Sequence, residues 1–174
     1  HKYNDNNFSP NGHKYLRQFD FNVVTRSVYR VGAVLLSKER LMLSHEPRVM
    51  IKYTLLEAHS PIKMRFKPFL AFRSVSALSH ENDNVNKNFT EIDNGISTCL
   101  YEGYPCLQMQ FSKKIDYFHS PDWYRGIEYF KEQERGYEYK EDLYVPGYFE
   151  LSLRQGEELI FSTSIESTTS RKLK

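Results

Sequence analysis

The stretch between Pro121 and Gly147 reads PDWYRGIEYFKEQERGYEYKEDLYVPG. It holds the only tryptophan of the chain, Trp123, and five of its thirteen tyrosines. Carboxylates and arginines lie between these aromatic rings. Such a composition suits a surface that stacks on a sugar, or a specific protein interface. The remaining interpretation is a solvated hairpin whose charged side chains pair with one another and contribute little.

Outward from this stretch, apolar and polar residues alternate with the period of two that a half-buried strand requires. The pattern recurs at 49–55, 62–66, 107–111 and 149–153. No segment shows a sustained period of 3.6 residues with helix caps, and the best helix candidate, Tyr124 to Gln133, suits a strand as well. The sequence therefore predicts an all-β fold, an antiparallel β-sandwich with little helix.

Two boundaries between these strands are less distinct. The apolar run 28–36 predicts one buried strand, and the polar run 37–40 predicts the turn that follows it. The segment 79–94 is rich in asparagine and predicts a polar, mobile surface loop. We expect a single β-sandwich domain over 1–166 and a polar tail or linker over 167–174.

Length and charge restrict the function further. The chain has 174 residues, enough for one domain with a sizeable core. Its formal net charge is +2, with 24 basic and 22 acidic residues mixed along the chain. Nucleic acid is a poor partner for such a charge distribution, since no cationic stripe is present. No apolar run is long enough for a membrane helix, and no signal peptide is recognisable at the start.

The two cysteines are Cys99 and Cys106. A two-residue hairpin loop at 102–103 places them opposite each other, which permits a cross-strand disulfide. The alternative is a pair of small apolar side chains in a reducing compartment, and this is the state we expect. Two cysteines without histidines at ligand spacing form no metal site, and no motif for another cofactor is present.

Several ordered blocks carry a resemblance to a known family. Within the first stretch they are Trp123-Tyr124-Arg125, Glu132-x-Glu134-Arg135-Gly136, Glu141-Asp142-Leu143 and Pro146-Gly147. A second block spans Tyr53 to Ser79, and Asn11 to Phe21 fits more loosely. The chain resembles the N-terminal domain of bacterial and archaeal-type glycogen debranching enzymes, the amylo-alpha-1,6-glucosidases. The resemblance implies a β-sandwich of the super-sandwich type.

The resemblance also implies where catalysis takes place. In that family the catalytic carboxylates lie in a following (α/α) toroid domain, so we expect this chain to be a non-catalytic part of a cytoplasmic glycoside hydrolase. The parent enzyme hydrolyses the α-1,6-linked glucose at a branch point of glycogen or a similar α-glucan. The family's upstream block, Asn-Thr-Arg-x-Tyr-His-Gly, is not found, so we expect a domain trimmed at its N terminus.

The candidate site residues come from the first stretch, and we expect them to contact the substrate or the catalytic domain. They are Trp123, Tyr124, Arg135, Tyr139, Glu141 and Asp142. An exposed aromatic patch promotes self-association, so a homodimer through this patch is a further expectation. The alternative function is a free-standing carbohydrate-binding module for α-glucans, in which Trp123, Tyr124, Tyr137 and Tyr139 stack on sugar rings.

Overall fold

The alternating residues form strands in the structure, a computed structural model that describes residues 1–3, 7–166 and 170–173. Within these residues, strands lie in two sheets, and all neighbouring strands are antiparallel. The smaller, five-stranded sheet has the order β2 (Asn7–Phe8), β1 (Lys2–Tyr3), β11 (Asp116–Glu128), β12 (Lys140–Leu153), β7 (Ile62–Phe66). The prediction of an all-β antiparallel fold is confirmed.

The larger sheet has eight strands. Its order is β3 (Leu16–Phe21), β4 (Thr25–Val31), β5 (Val34–Met42), β6 (Arg48–Glu57), β13 (Glu158–Ser164), β10 (Leu107–Phe111), β9 (Gly95–Thr98), β8 (Thr90–Ile92). The described part of the chain also has a short helix, α1 (Phe130–Glu134), and 3-10 turns at Gly12–Tyr15 and Ser170–Leu173. Neither α1 nor any other described helix has the length and apolarity to cross a membrane.

The main core lies between the two sheets. Its fully buried members come from both layers: Leu55, Ile96, Met109, Phe111, Phe149, Leu153 and Leu159. The rings of Phe111 and Phe149, on opposite sheets, are 5.0 Å apart. A second buried cluster combines Trp123 and Tyr144 with Leu100 and Val85. This cluster packs beneath the half of the β11–β12 pair that carries the candidate residues.

One strand boundary was predicted wrongly. The run 28–36 is two strands, because the chain turns at Gly32, where φ is +58°, and Val31 pairs with Val34. The polar run 37–40 lies inside β5 and forms no turn. Its side chains are satisfied within the sheet: Ser37 accepts a hydrogen bond from Arg26, and Glu39 pairs with a lysine on β6. Polar residues therefore continue the strand because neighbouring strands supply their partners.

The expectation for the cysteines was also wrong, because Cys99 and Cys106 form a disulfide with Cα atoms 4.1 Å apart. The register explains the pairing. Thr98 of β9 lies opposite Leu107 of β10. Cys99 follows Thr98 and Cys106 precedes Leu107, so the two cysteines face each other. The disulfide closes the loop that carries Leu100 into the second buried cluster.

The asparagine-rich segment is anchored rather than free. Val85 is buried against the second cluster, and the backbone N–H of Asn86 donates to the Leu100 carbonyl at 2.8 Å. At the C terminus, Leu173 is buried, and the N–H of Ser170 donates to the Asp93 carboxylate at 2.9 Å. Part of the expected tail thus docks on the sandwich, while 167–169 and 174 lie outside the described residues.

Candidate interdomain surface around Glu141

The stretch from Pro121 to Gly147 forms most of a long hairpin with a helical tip. β11 and β12 pair from Asp116 opposite Glu150 to Glu128 opposite Lys140. Between them, the backbone N–H of Tyr129 donates to the Tyr139 carbonyl at 2.9 Å and closes the base of the tip. The tip contains α1, so the predicted helix candidate is strand as far as Glu128 and helix only from Phe130.

The tip is stabilised by local charge pairs. Arg135 forms an ion pair with Glu132 at 3.1 Å, and Lys131 pairs with Glu134 at 2.8 Å, both at the i,i+3 spacing that brings helical side chains together. Gly136 follows with φ of +75°, a conformation that favours glycine, and it turns the chain back toward β12. Each of these charges has a partner within the tip itself.

Glu141, at the base of the tip, is the most deeply buried acid of the site, with 0% of its surface exposed. Arg73 binds both carboxylate oxygens, the second at 3.4 Å. The backbone N–H and the hydroxyl of Ser79 each donate at 3.0 Å, and the Tyr129 hydroxyl donates as well. A buried carboxylate with this many donors is stable as a charge, since each donor favours the ionised form.

These contacts determine how the site titrates. Burial alone would raise the pKa of Glu141, but the hydrogen bonds from Arg73, Tyr129 and Ser79 outweigh it and lower the pKa below the ordinary 4.5. Burial, followed by the bond to this carboxylate, raises the pKa of Tyr129 to about 12. A general acid for glycoside hydrolysis needs a raised pKa, so the electrostatics make Glu141 a structural carboxylate.

Asp142 connects the neighbouring loop to the hairpin. Its side chain accepts hydrogen bonds from the backbone N–H groups of Glu81 at 3.1 Å and Gly126 at 2.9 Å. Gly126, with φ of +69°, lies in the register shift between Tyr124 and Ile127. The Asp142 carboxylate therefore links the β-bulge of β11, at Gly126, to the start of the asparagine-rich segment 79–94, at Glu81.

The six candidate residues do not form one contiguous surface. Trp123 is only 7% exposed, and its ring packs edge-on against Tyr144 at 5.5 Å. It is internal, as Glu141 is. The others lie outside the core: Tyr124 is half-buried under Lys67, Arg135 is exposed on the tip, and Tyr139 is half-buried beside Lys140.

Sequence reasoning missed the residues that hold Glu141. Arg73 and Ser79 lie at the end of the second block, 68 and 62 positions before Glu141. The resemblance of the block Tyr53 to Ser79 to the family was the only signal for these two residues. No local sequence pattern shows that Arg73 reaches a carboxylate on another strand. Arg125 and Glu81 form a second ion pair between distant parts of the chain, but this pair is exposed.

An open groove of about 1170 Å³ lies beside the buried ion pair. Tyr129 and Arg73 form part of its lining. The apolar side chains around it include four that are largely exposed: Phe8, Val75, Phe130 and Tyr137. Val75 is 99% exposed. We call these four residues and the groove they border the groove surface. Apolar side chains exposed side by side, with polar residues around them, mark a contact site.

Among the residues that the structure describes, no group of three or more His, Cys, Asp and Glu side chains is arranged to hold a metal ion. His80, the histidine nearest to the site, contacts Glu138 at 2.8 Å and lies 3.9 Å from Asp142. These three side chains form a polar rim beside the groove.

Comparison with known proteins shows a family for this chain. The family model described as glycogen debranching enzyme N terminal matches residues 1–160. The match includes the groove surface, Glu141 with its partners Arg73, Ser79 and Tyr129, and both sheets except the end of β13. A search of curated proteins finds no match.

Proposed function

Because the chain belongs to the family of glycogen debranching enzyme N-terminal domains, we propose that it is the non-catalytic domain of a glycoside hydrolase that cleaves α-1,6 branch points. Its partner is an (α/α) toroid catalytic domain of the same polypeptide. In this proposal the domain packs on the toroid and shapes the wall of its active-site cleft. The family match to residues 1–160 carries the proposal.

The groove surface supports a docking role over a catalytic one. It exposes several large apolar side chains side by side, and such patches on a folded domain mark contact sites. Phe130 and Tyr137 project from the hairpin tip, whose own charges are already paired. A partner can bury these rings without leaving an unpaired charge behind, which is the main cost of burying a polar interface.

Glu141 and its hydrogen-bond partners Arg73, Ser79 and Tyr129 make this surface rigid. Through Arg73, Glu141 is tied to the segment 73–78 that lines the groove, and through Tyr129 it is tied to the base of the tip. Both sides of the groove therefore rest on one buried carboxylate. A surface that is ordered before binding loses less conformational entropy when the partner docks.

The alternative, a free-standing module that binds α-glucans, has less support. Trp123 is one of the four rings expected to stack on a sugar, and its ring lies inside the second buried cluster. Of the other three rings, Tyr137 is exposed, whereas Tyr124 and Tyr139 are half-buried. Titration calorimetry with maltoheptaose and with glycogen distinguishes the two functions: we expect no heat from the chain alone, and millimolar or tighter binding would favour the module.

Two experiments test the proposal directly. The coding sequence downstream of Lys174 is expected to encode an (α/α) toroid, and a stop codon there would overturn the proposal. The chain alone is expected to release no glucose from a branched limit dextrin, whereas the full-length protein should release it. Glucose release by the chain alone would place the catalytic groups here.

The cytoplasmic location expected from the resemblance stays a prediction. The Cys99–Cys106 disulfide weighs against it, because disulfides persist mainly in oxidising compartments. Trapping thiols in intact cells before the protein is isolated resolves this question. Two alkylated cysteines would agree with a cytoplasmic protein, and an intact disulfide would contradict it.

A further inference from the structure

A cavity of about 310 Å³ lies at the edge of the sandwich where the smaller sheet ends. Strand β7 is the last strand of that sheet, whereas the larger sheet continues past β6 through β5, β4 and β3. Residues of both sheets line the cavity, and most of them are apolar: Ile51, Tyr53, Phe66, Pro68, Phe111, Phe149 and Phe161. The volume lies at the lower end of the range for small-molecule sites.

The aromatic walls of this cavity restrict the kind of molecule that fits. The rings of Tyr53 and Phe66 are 5.0 Å apart, and those of Phe111 and Phe161 are 4.9 Å apart. Such walls offer dispersion contacts to an apolar group. A sugar, which carries hydroxyl groups on every side, would exchange hydrogen bonds with water for contacts with carbon atoms. The cavity therefore suits a ligand with an apolar body.

Two cations of β5 lie beside the cavity. Lys38 is opposite Tyr53, and Arg40 is opposite Ile51. Directly opposed residues share a face of the sheet, and the Tyr53 ring contacts Phe66 of the smaller sheet, so both cations are on the inner face. The ammonium of Lys38 lies 5.7 Å from the centroid of the Tyr53 ring. Both charges therefore border the wall that β6 contributes to the cavity.

Within the described part of the chain, neither of these cations forms an ion pair with an acid. Arg40 donates to the Ser27 hydroxyl at 3.4 Å, and Lys38 contacts the Tyr53 ring. The two are next but one along β5, so like charges lie side by side on one face. Burial, followed by the charge of Arg40, lowers the pKa of Lys38 below the ordinary 10.5. An anion between the two side chains would offset this repulsion.

We propose that this cavity binds a small amphipathic carboxylic acid. Its apolar body enters the space between the sheets, and its carboxylate lies between Lys38 and Arg40, where charge-assisted hydrogen bonds form. A neutral apolar ligand would leave both cations without a partner, and a hydrophilic anion such as phosphate would leave the aromatic walls without contacts. The cavity shares no lining residue with the groove surface, so the site does not depend on the proposed docking role.

Nuclear magnetic resonance titration of the isotope-labelled chain tests the ligand class. Hexanoate is the probe, and hexan-1-ol is its uncharged match. We expect hexanoate to bind with a dissociation constant of about 1 mM or tighter, and hexan-1-ol to bind at least about tenfold more weakly. The shifted amides should include those of residues 38–40, 51–53 and 66–68. Equal affinities, no binding of hexanoate, or shifts elsewhere in the chain would overturn the proposal.

Two matched variants test the part played by the cation. Lys38→Met should weaken hexanoate binding at least about tenfold and leave hexan-1-ol binding unchanged, because only the charge of the side chain is lost. Lys52→Met is the control: Lys52 lies on the opposite face of the same sheet and pairs with Glu39 at 3.0 Å. It should leave both affinities unchanged. An equal loss of hexanoate affinity in the two variants would show a general charge effect and contradict the site.

Discussion

The guanidinium of Arg73 binds the buried carboxylate of Glu141 and joins the segment after β7 to the start of β12. The two residues are 68 positions apart in the chain. Glu141 has no exposed surface, whereas Arg73 keeps part of its side chain in the groove. The ion pair thus links the interior of the domain to the surface that we propose as the docking site.

Arg73→Ala should destabilise the chain strongly, because it leaves the Glu141 charge buried with fewer partners. The expected loss is about 3–5 kcal/mol in the free energy of unfolding, measured by urea denaturation. Arg135→Ala is the matched control: its ion pair with Glu132 is exposed, and the expected loss is about 0–1 kcal/mol. Equal losses in the two variants would contradict the central position of the Arg73–Glu141 pair.

Acid should destabilise the protein through its paired carboxylates. The pKa of Glu141 is lowered in the folded state, as are those of Glu81 beside Arg125 and Glu150 beside Arg65. The unfolded chain therefore binds protons at a higher pH than the folded chain. The stability they contribute is complete above about pH 4.5, the unfolded value, and is lost as the pH falls through the folded values.

Glu141→Gln provides the test of this pH dependence. It removes the carboxylate that is most deeply buried, so its unfolding free energy should fall less between neutral pH and about pH 3 than that of the unmodified chain. Urea denaturation at several pH values gives the slope of the unfolding free energy against pH for the variant and for the unmodified chain. An unchanged slope in Glu141→Gln would show that the surface carboxylates alone produce the acid effect.

The strand pattern was predictable because alternation records the two environments of a half-buried strand. The predicted segments at 49–55, 62–66, 107–111 and 149–153 all lie within strands of the structure. The turn at Gly32 was missed since an apolar run continues through it, and the polar residues after it looked like a turn. Local patterns contain no information on which charges neighbouring strands will satisfy.

The candidate site was predictable only in part. The stretch 121–147 does form the long hairpin beside the groove. Its composition did not reveal that Trp123 and Glu141 point inward, because aromatic and charged residues suit both a surface and a satisfied interior. The partners of Glu141 lie in a distant block, and their pairing depends on the fold of the whole chain.

The Cys99–Cys106 disulfide should stabilise the chain by restricting its unfolded state. For a loop this short the expected contribution is about 2–3 kcal/mol, and it should disappear when a reductant is added. Cys99→Ala combined with Cys106→Ala is the control, since its stability should not respond to reductant. Mass spectrometry that finds two free thiols in protein purified without reductant would contradict the pairing.

Trp123 offers a direct optical test of the site. It is the only tryptophan, and its ring lies in the second buried cluster. Its fluorescence should therefore be blue-shifted and poorly quenched by acrylamide in the native chain, with free quenching in urea. Adding maltoheptaose should leave the emission unchanged. A red-shifted, readily quenched native emission would show an exposed ring and revive the sugar-stacking alternative.

The most direct test of the docking proposal uses one double variant, Val75→Glu with Phe130→Glu. The variant is made both in the isolated chain and in the full-length enzyme. Both side chains are exposed, so the isolated chain should keep its melting temperature. In the full-length enzyme the same pair should lower kcat/KM for a limit dextrin at least about tenfold, because two charges enter an apolar interface. Unchanged kcat/KM in a stably folded full-length variant would contradict the claim that this surface packs on the catalytic domain.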